Sequence, residues 1–229
     1  MNNMTRLKGK TAVITGGATG ISLAAAKCFI EEGAFVFISG RRQEALNAAV
    51  AELGPNARAV KGSVSRSTLR GSEGRARNPL DIVFANAGAG SQLRLGEITV
   101  EHCDEILDTN VKGSIFTVQK ALPLMGQGGS IILTGSSAAT TGVSKAAVRN
   151  LARTWAEDLK GTGIRVNVLS PGPTATECVF DDKSKYVYVN GTASRGACRN
   201  LRTDVIIVDD GWSAAEQGDL FLEAINSPP

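Results

Sequence analysis

Short runs of apolar residues alternate with longer segments of helical periodicity along most of the chain. The apolar runs predict strands at residues 11–15, 34–39, 57–61, 80–85, 130–134, 164–169 and 205–208. Helical patterns lie at residues 21–32, 43–53, 100–108, 111–124 and 144–159. Such alternation is typical of βαβ units. The sequence therefore predicts an α/β fold with a mostly parallel sheet and helices on both faces.

Length and composition are those of one globular domain. With 229 residues the chain fits a single α/β domain over residues 1–229, and 42% hydrophobic residues allow a sizeable core. The net charge of +3 is too slight to indicate a nucleic-acid-binding protein. No apolar stretch approaches the roughly 18 residues that cross a bilayer, and residues 1–10 do not resemble a secretory signal. We therefore expect neither a nucleic-acid partner nor a membrane.

The cysteines and the single histidine suggest no special chemistry. The four cysteines are scattered without a CxxC pair, which favours reduced thiols and a cytoplasmic protein. Cys28 and Cys103 fall in predicted helices and are interpreted as small core residues. His102 is interpreted as a structural residue, and no metal site is expected.

A glycine-rich turn lies directly between the first strand and the first helix. It reads Thr15-Gly16-Gly17-Ala18-Thr19-Gly20-Ile21. Glycines let the backbone approach a pyrophosphate, while the helix N-terminus offers free N–H groups. A tight turn needs glycine for its own sake, but the strand–turn–helix context favours phosphate binding. No Lys-Ser/Thr pair follows the glycines, so the turn is not a P-loop.

Two arginines, Arg41 and Arg42, follow the second strand, where an acidic residue would bind an adenosine ribose. A guanidinium suits a 2′-phosphate, because it forms paired, charge-assisted hydrogen bonds. The alternative is that both arginines are solvated residues of a loop. The arginine pair predicts NADP(H) in preference to NAD(H).

Further motifs occur in a fixed order along the chain. Asn86-Ala87-Gly88 follows the fourth strand, and the segments TNVKG, GSIILTGS, SKAAVRNLARTWAEDLK and IRVNVLSPGPT come later. With the glycine turn, these motifs resemble the landmarks of the short-chain dehydrogenase/reductase family over about residues 8–176. The resemblance implies a Rossmann-type, doubly wound sheet. It also implies an NAD(P)-dependent oxidoreductase that transfers a hydride between NADP(H) and a carbonyl or alcohol substrate.

The turn, the arginine pair and the resemblance together give a set of expected cofactor-binding residues. They are Gly16, Gly17, Thr19, Gly20, Ile21, Arg41, Arg42, Asn86, Ala87, Gly88, Lys145, Pro171, Gly172 and Thr174. By resemblance, three residues are catalytic. Asn110 would hold a proton-relay water, Ser136 would bind the substrate carbonyl, and Lys145 would bind the nicotinamide ribose. A homodimer or homotetramer, paired through the helices at residues 111–124 and 144–159, is also implied.

The chain departs from the family pattern at the expected proton donor. The family has a tyrosine four residues before the lysine, and here that position is Thr141. A threonine hydroxyl is a far weaker acid than a phenol, whose pKa is near 10. The two tyrosines, Tyr186 and Tyr188, lie far downstream, and the segment between Ser136 and Lys145 is shorter than the family's. Ser22 also replaces a glycine common at the end of the glycine motif.

These observations leave three hypotheses open. The first is the oxidoreductase, and the second is a catalytically impaired pseudoenzyme that binds NADP(H) without turnover. The third is a chain with an incompletely covered sheet that needs a partner or is unstable. Residues 65–79 carry arginines with little apolar periodicity and are expected to form a solvated, partly irregular connection. Residues 177–229 are atypical of the family, so the substrate cannot be inferred from them.

Overall fold

The computed structural model describes residues 6–64, 79–90, 93–136, 142–171 and 205–207. Within this part of the chain, seven strands form one sheet in the order β3-β2-β1-β4-β5-β6-β7, and every pairing is parallel. The strands are β1 (Thr11–Thr15), β2 (Phe35–Gly40), β3 (Ala57–Lys61), β4 (Leu80–Ala85), β5 (Met125–Thr134), β6 (Arg165–Ser170) and β7 (Val205–Ile207). The predicted α/β fold with a parallel sheet is confirmed.

The predicted helices are also present. They are α1 (Gly20–Glu31), α2 (Gln43–Leu53), α3 (Val100–Leu107), α4 (Gly113–Ala121) and α5 (Gly142–Asp158). A π-helical turn, Asp108–Lys112, joins α3 to α4, and a 3₁₀ turn, Leu122–Leu124, follows α4. The single helix predicted at residues 111–124 is therefore divided between these segments.

Two hydrophobic layers hold the helices against opposite faces of the sheet. In the first layer, Phe29 of α1 and Leu46 of α2 pack with strand residues that include Phe84, and all three are fully buried. The second layer contains Val148 of α5 and Val83 of β4. The neighbours Val83 and Phe84 enter different layers because successive side chains of a strand point to opposite faces. Burying a side chain of this size contributes about 1.5–3 kcal/mol.

Helix α3 lies outside both layers and has no buried residue. Cys103 is exposed, so its interpretation as a core residue was wrong: no face of α3 packs into the interior. Cys28, in α1, is half-buried and packs against the first layer. The start of α3 is fixed by Thr99, whose hydroxyl accepts a hydrogen bond from the backbone N–H of His102 at 3.2 Å.

Strand β5 begins at Met125, earlier than the predicted residue 130. Its pairing with β4 shifts register between Leu80, which faces Met125, and Ile82, which faces Ser130. The early part of the strand is rich in glycine and has no apolar alternation, so its sequence carries no strand signal.

The order of the strands reverses at the centre of the sheet. Strand β1 pairs with β2 on one side and with β4 on the other, because the chain runs outward from β1 through β2 to β3 and then crosses to the other side of β1. Doubly wound sheets bind ligands at such a switch point, beyond the carboxyl ends of the strands. The glycine turn follows β1 there, and Asn86 follows β4.

Candidate cofactor and active site

The glycine turn packs closely against the ends of two neighbouring strands. Gly16 has a φ of 71°, and a Cβ at this position would lie 3.2 Å from the Cα of Ala87. A Cβ on Gly17 would lie 2.6 Å from the Cβ of Ile38, closer than side chains can approach. Gly20, with a φ of 58°, is the first residue of α1. Packing alone therefore requires glycine here, and it also keeps the backbone open to a ligand.

The N-terminus of α1 has no side-chain cap. Thr19 precedes the helix in an extended conformation, its side chain makes no capping hydrogen bond, and the first turn contains no acidic residue. The first N–H groups of a helix lack partners within it and carry partial positive charge. Ile21 is half-buried and packs against the first hydrophobic layer, which anchors the helix. A phosphate at this end would complement the unpaired N–H groups.

Arg41 and Arg42 lie just beyond β2, beside the glycine turn. The backbone N–H of Gly17 donates to the carbonyl oxygen of Ser39 at 3.0 Å, so the turn and the end of β2 are in direct contact. Both arginines are exposed. No described residue forms an ion pair or a side-chain hydrogen bond with either guanidinium. Two exposed cationic groups therefore lie next to the turn.

Asn86 forms hydrogen bonds to neighbouring elements through both ends of its side chain and through its backbone N–H. Its Nδ2 donates to the Oγ of Ser22 at 2.6 Å, and its Oδ1 accepts from the Oγ1 of Thr134 at 2.6 Å. The backbone N–H groups of Asn86 and Ala87 both donate to the Oγ1 of Thr15, at 3.1 and 3.0 Å. Thr15 ends β1 and Thr134 ends β5, so this network joins three strands at their carboxyl ends.

Asn110 lies in the π-helical turn and is buried. Its Oδ1 accepts from the backbone N–H of Ala89 at 2.7 Å, and its Nδ2 donates to the carbonyl oxygen of Ala89 at 3.0 Å. Nδ2 also donates to the Oγ of Ser144 at 3.1 Å. The carbonyl oxygen of Asn110 accepts from the Oγ of Ser114 at 2.7 Å. Asn110 thus fastens the loop after β4 to the start of α5.

Lys145 projects from α5 to the end of β5. Its Nζ donates to the carbonyl oxygen of Thr134 at 2.9 Å. A Cβ on Gly88 would lie 3.6 Å from this Nζ and 3.1 Å from the Oδ1 of Asn110, so Gly88, Asn110 and Lys145 form one cluster. Burial lowers the pKa of Lys145 from 10.5 to about 8, because desolvation disfavours the ammonium form.

Two of the remaining expected residues follow strands β5 and β6, and the others lie outside the described residues. The carbonyl oxygen of Ser136, just beyond β5, accepts from Nη1 of Arg149 at 3.2 Å, and Pro171 is buried after β6. Outside the described residues lie the following expected or discussed positions: Gly172, Thr174, Thr141, Tyr186 and Tyr188. The expectations for residues 65–78 also stay predictions.

Sequence reasoning missed several polar residues that bind the expected ones. Thr15 and Thr134 end buried strands, Ser22 lies inside α1, and Ser144 immediately precedes Lys145. A signal was present, because a hydroxyl residue at the end of a buried apolar run lies at the ligand-binding edge of a parallel sheet.

Two further properties bear on the kind of site. Among the described residues, no three His, Cys, Asp or Glu side chains are grouped closely enough to bind a metal ion. No helix in that part of the chain combines the length and the apolar character needed to span a membrane.

A doubly wound parallel sheet with a glycine turn at its switch point is the architecture of Rossmann-type dinucleotide-binding proteins. Comparison with known proteins agrees. The family described as short chain dehydrogenase matches residues 10–186. Oxidoreductase asL5 of Sarocladium schorii is 62% identical over 191 residues, 77% of either chain. The sorbitol dehydrogenase of Cereibacter sphaeroides is 35% identical over 184 residues, 73% of this chain and 71% of that one.

A solved structure agrees as well. The crystal structure of a dehydrogenase/reductase from Sinorhizobium meliloti 1021 superposes with a TM-score of 0.67 at 32% identity and covers 76% of both chains. The chain belongs to the short-chain dehydrogenase/reductase family. It is therefore placed among oxidoreductases that use a nicotinamide cofactor and act on small molecules.

Proposed function

We propose that this chain binds NADP(H) and transfers a hydride between it and a carbonyl or alcohol group of a small molecule. The observation that carries the proposal is the convergence of three features at one edge of the sheet. These are the uncapped N-terminus of α1, the two exposed arginines after β2, and the cluster of Gly88, Asn110 and Lys145.

The residues at this edge fit the parts of NADP(H). The N–H groups at the start of α1 suit the pyrophosphate. Arg41 and Arg42 suit the 2′-phosphate, because two guanidiniums without ion-pair partners among the described residues lie beside the glycine turn. Lys145 and Asn86 lie further along the edge and suit the nicotinamide half. When bound, the cofactor supplies the hydride.

The chain's own residues would orient the substrate and the cofactor. The Ser136 hydroxyl would donate to the substrate carbonyl, and Asn110 would keep the loop after β4 and the start of α5 in place. Position 141 is a threonine, so the phenol expected from the family pattern is missing. Lys145, whose Nζ donates to the carbonyl oxygen of Thr134 and whose pKa is lowered by burial to about 8, would bind the nicotinamide ribose.

A second candidate function is binding of NADP(H) without turnover. The observation that favours it is Thr141, since a threonine hydroxyl is too weak an acid to replace a phenol. Both candidates require the same cofactor site. They differ only in whether the hydride leaves the cofactor.

Titration with NADPH and with NADH, followed by nicotinamide fluorescence, tests the cofactor assignment. We expect saturable binding that is tighter for NADPH. Arg41→Ala should weaken NADPH binding roughly tenfold or more, because a charge-assisted hydrogen bond is lost, and should change NADH binding little. Arg153→Ala removes an exposed arginine from α5 and is the matched control. Equal affinity for both cofactors, or tighter NADH binding, would overturn the NADP(H) assignment.

Turnover separates the two candidates. Wild-type protein is mixed with NADPH and a panel of ketones and quinones, and NADPH consumption is followed by absorbance. Consumption that is lost in Lys145→Ala supports the oxidoreductase. A rate equal to that of buffer, in protein that demonstrably binds NADPH, supports the non-catalytic candidate. Homo-oligomerisation and a cytoplasmic location stay predictions.

A further inference from the structure

Ser22 stands where the resemblance led us to expect glycine, and its side chain is fully buried. The Ser22 hydroxyl takes part in two hydrogen bonds. It donates to the carbonyl oxygen of Thr15 at 3.0 Å and accepts from the Nδ2 of Asn86 at 2.6 Å. Because its single proton is directed to the carbonyl, only its lone pairs face Asn86. Asn86 must therefore present its NH₂ group to Ser22.

The other end of the same carboxamide is held by Thr134. The Oγ1 of Thr134 donates to the Oδ1 of Asn86 at 2.6 Å. The oxygen and nitrogen of a carboxamide are similar in size, so its orientation is set by the partners at its two ends. An acceptor at one end and a donor at the other select a single orientation of Asn86.

This arrangement connects the glycine motif with the cluster of Gly88, Asn110 and Lys145. Asn86 and Ala87 are held at their backbone N–H groups by Thr15, and a Cβ on Gly16 would lie only 3.2 Å from the Cα of Ala87, closer than ordinary van der Waals contact. The carbonyl oxygen of Thr134 accepts from Lys145 at 2.9 Å. A continuous chain of hydrogen bonds therefore runs from Ser22 in α1 through Asn86 and Thr134 to Lys145 in α5. With glycine at position 22, the Nδ2 of Asn86 would lose its partner.

We propose that Ser22 is a positioning residue of the dinucleotide site. Its hydroxyl fixes the Asn86 carboxamide and thereby holds the ends of β1, β4 and β5 in the arrangement that receives the cofactor. This inference rests on the proposed function, because one of its readouts is affinity for NADPH. A merely structural role predicts lower stability without a change in cofactor affinity.

The first test compares two buried hydroxyls. Ser22→Ala removes one hydroxyl and keeps the Cβ, and we expect the Kd for NADPH to rise about fivefold through loss of one hydrogen bond. Thr117→Val is the matched control, because it removes a buried hydroxyl that donates to the carbonyl oxygen of Gly113 at 2.7 Å within α4. Its Kd should equal that of wild type, although its stability also falls. An unchanged Kd in Ser22→Ala, or an equal rise in both variants, would overturn the proposal.

A double-mutant cycle tests the route through Asn86. Ser22 and Thr134 hold opposite ends of one carboxamide. Once one partner is removed, removal of the other should therefore have a smaller effect on the Kd for NADPH. The combined Ser22→Ala and Thr134→Val variant should raise the Kd by less than the product of the two single effects. Effects that simply multiply would show that the two residues act independently and would contradict the proposed route.

Hydrogen exchange gives a readout that does not need the cofactor. In NMR spectra, the side-chain NH₂ protons of Asn86 should exchange with solvent faster in Ser22→Ala than in wild type, and Thr117→Val should leave them unchanged. If the wild-type chain binds neither NADPH nor NADH, the proposed function fails. In that case the solvent exchange of the Asn86 side-chain protons is the remaining test of whether Ser22 orients Asn86. An unchanged exchange rate in Ser22→Ala would overturn this inference.

Discussion

Replacing Lys145 by methionine removes one half-buried titratable group and keeps an unbranched side chain of similar length. Burial lowers the pKa of Lys145 from 10.5 to about 8 in the folded protein. Between these two pH values the folded chain has released the proton and the unfolded chain still holds it. The unfolded state therefore binds more protons in this window, and the stability of the wild type must rise with pH.

The size of the effect follows from the shift in pKa. Well inside the window, the free energy of unfolding gains about 1.4 kcal/mol per pH unit. Close to a pKa of about 8 the slope is smaller, since only part of the population is deprotonated. Between roughly pH 7 and pH 9.5, the wild type should therefore gain about 2 kcal/mol relative to Lys145→Met.

Denaturant unfolding at several pH values, followed by tryptophan fluorescence, measures this difference. All other titrating groups are common to the two proteins, so their contributions cancel. Lys120→Met removes one positive charge from the exposed surface of α4 and controls for the change in net charge. A difference between wild type and Lys145→Met that is the same at neutral and alkaline pH would refute the reasoning, because Lys145 would then not be desolvated.

Three further substitutions test the packing of the sheet and its helices. Gly17→Ala would place a Cβ 2.6 Å from the Cβ of Ile38. We expect thermal unfolding to show a loss of about 1–3 kcal/mol in the free energy of unfolding, together with loss of NADPH binding. Normal NADPH binding would contradict this. Ser170→Ala should leave stability unchanged or higher, because this buried hydroxyl next to Gly135 has no hydrogen-bond partner among the residues that the structure describes. A clear loss of stability in urea titration would show that it has one. Thr99→Ala should lower stability by about 1 kcal/mol through loss of the cap of α3, as measured by circular dichroism; an unchanged transition would show that the cap contributes nothing.

The fold was readable from sequence because strands and helices impose different periods on apolar residues. The strand Leu80–Ala85, for example, is apolar at every position except Asp81, and its bounds were predicted correctly. The early part of β5 was not predicted, because its glycines carry no apolar alternation. The π-helical turn was not predicted either, since the sequence indicated only a break between two helices near Asn110.

The candidate site was readable only in part. Motifs identified Asn86, Asn110 and Lys145, but the partners of these residues depend on which side-chain ends meet in space. Ser22 and Thr134 are far apart in the sequence, yet they bind the two ends of one carboxamide. Such contacts leave no periodic signal, so a serine that looked like a departure from a glycine motif could not be recognised as part of a network.

The pairing of β1 with β4 has a consequence for how the chain folds. Ala12 faces Ile82 across this pair, whereas β1, β2 and β3 are neighbours both in sequence and in space. Closing so long a loop costs chain entropy before any contact compensates for it, and topologies rich in distant contacts fold slowly. The first three strands can associate while β4 is still absent, but the glycine turn then lacks the surface formed by Asn86 and Ala87. The glycine turn therefore acquires its final surroundings only after β4 has joined the sheet, and the complete site, which includes Lys145, cannot form until ribosomes have synthesised 145 of the 229 residues.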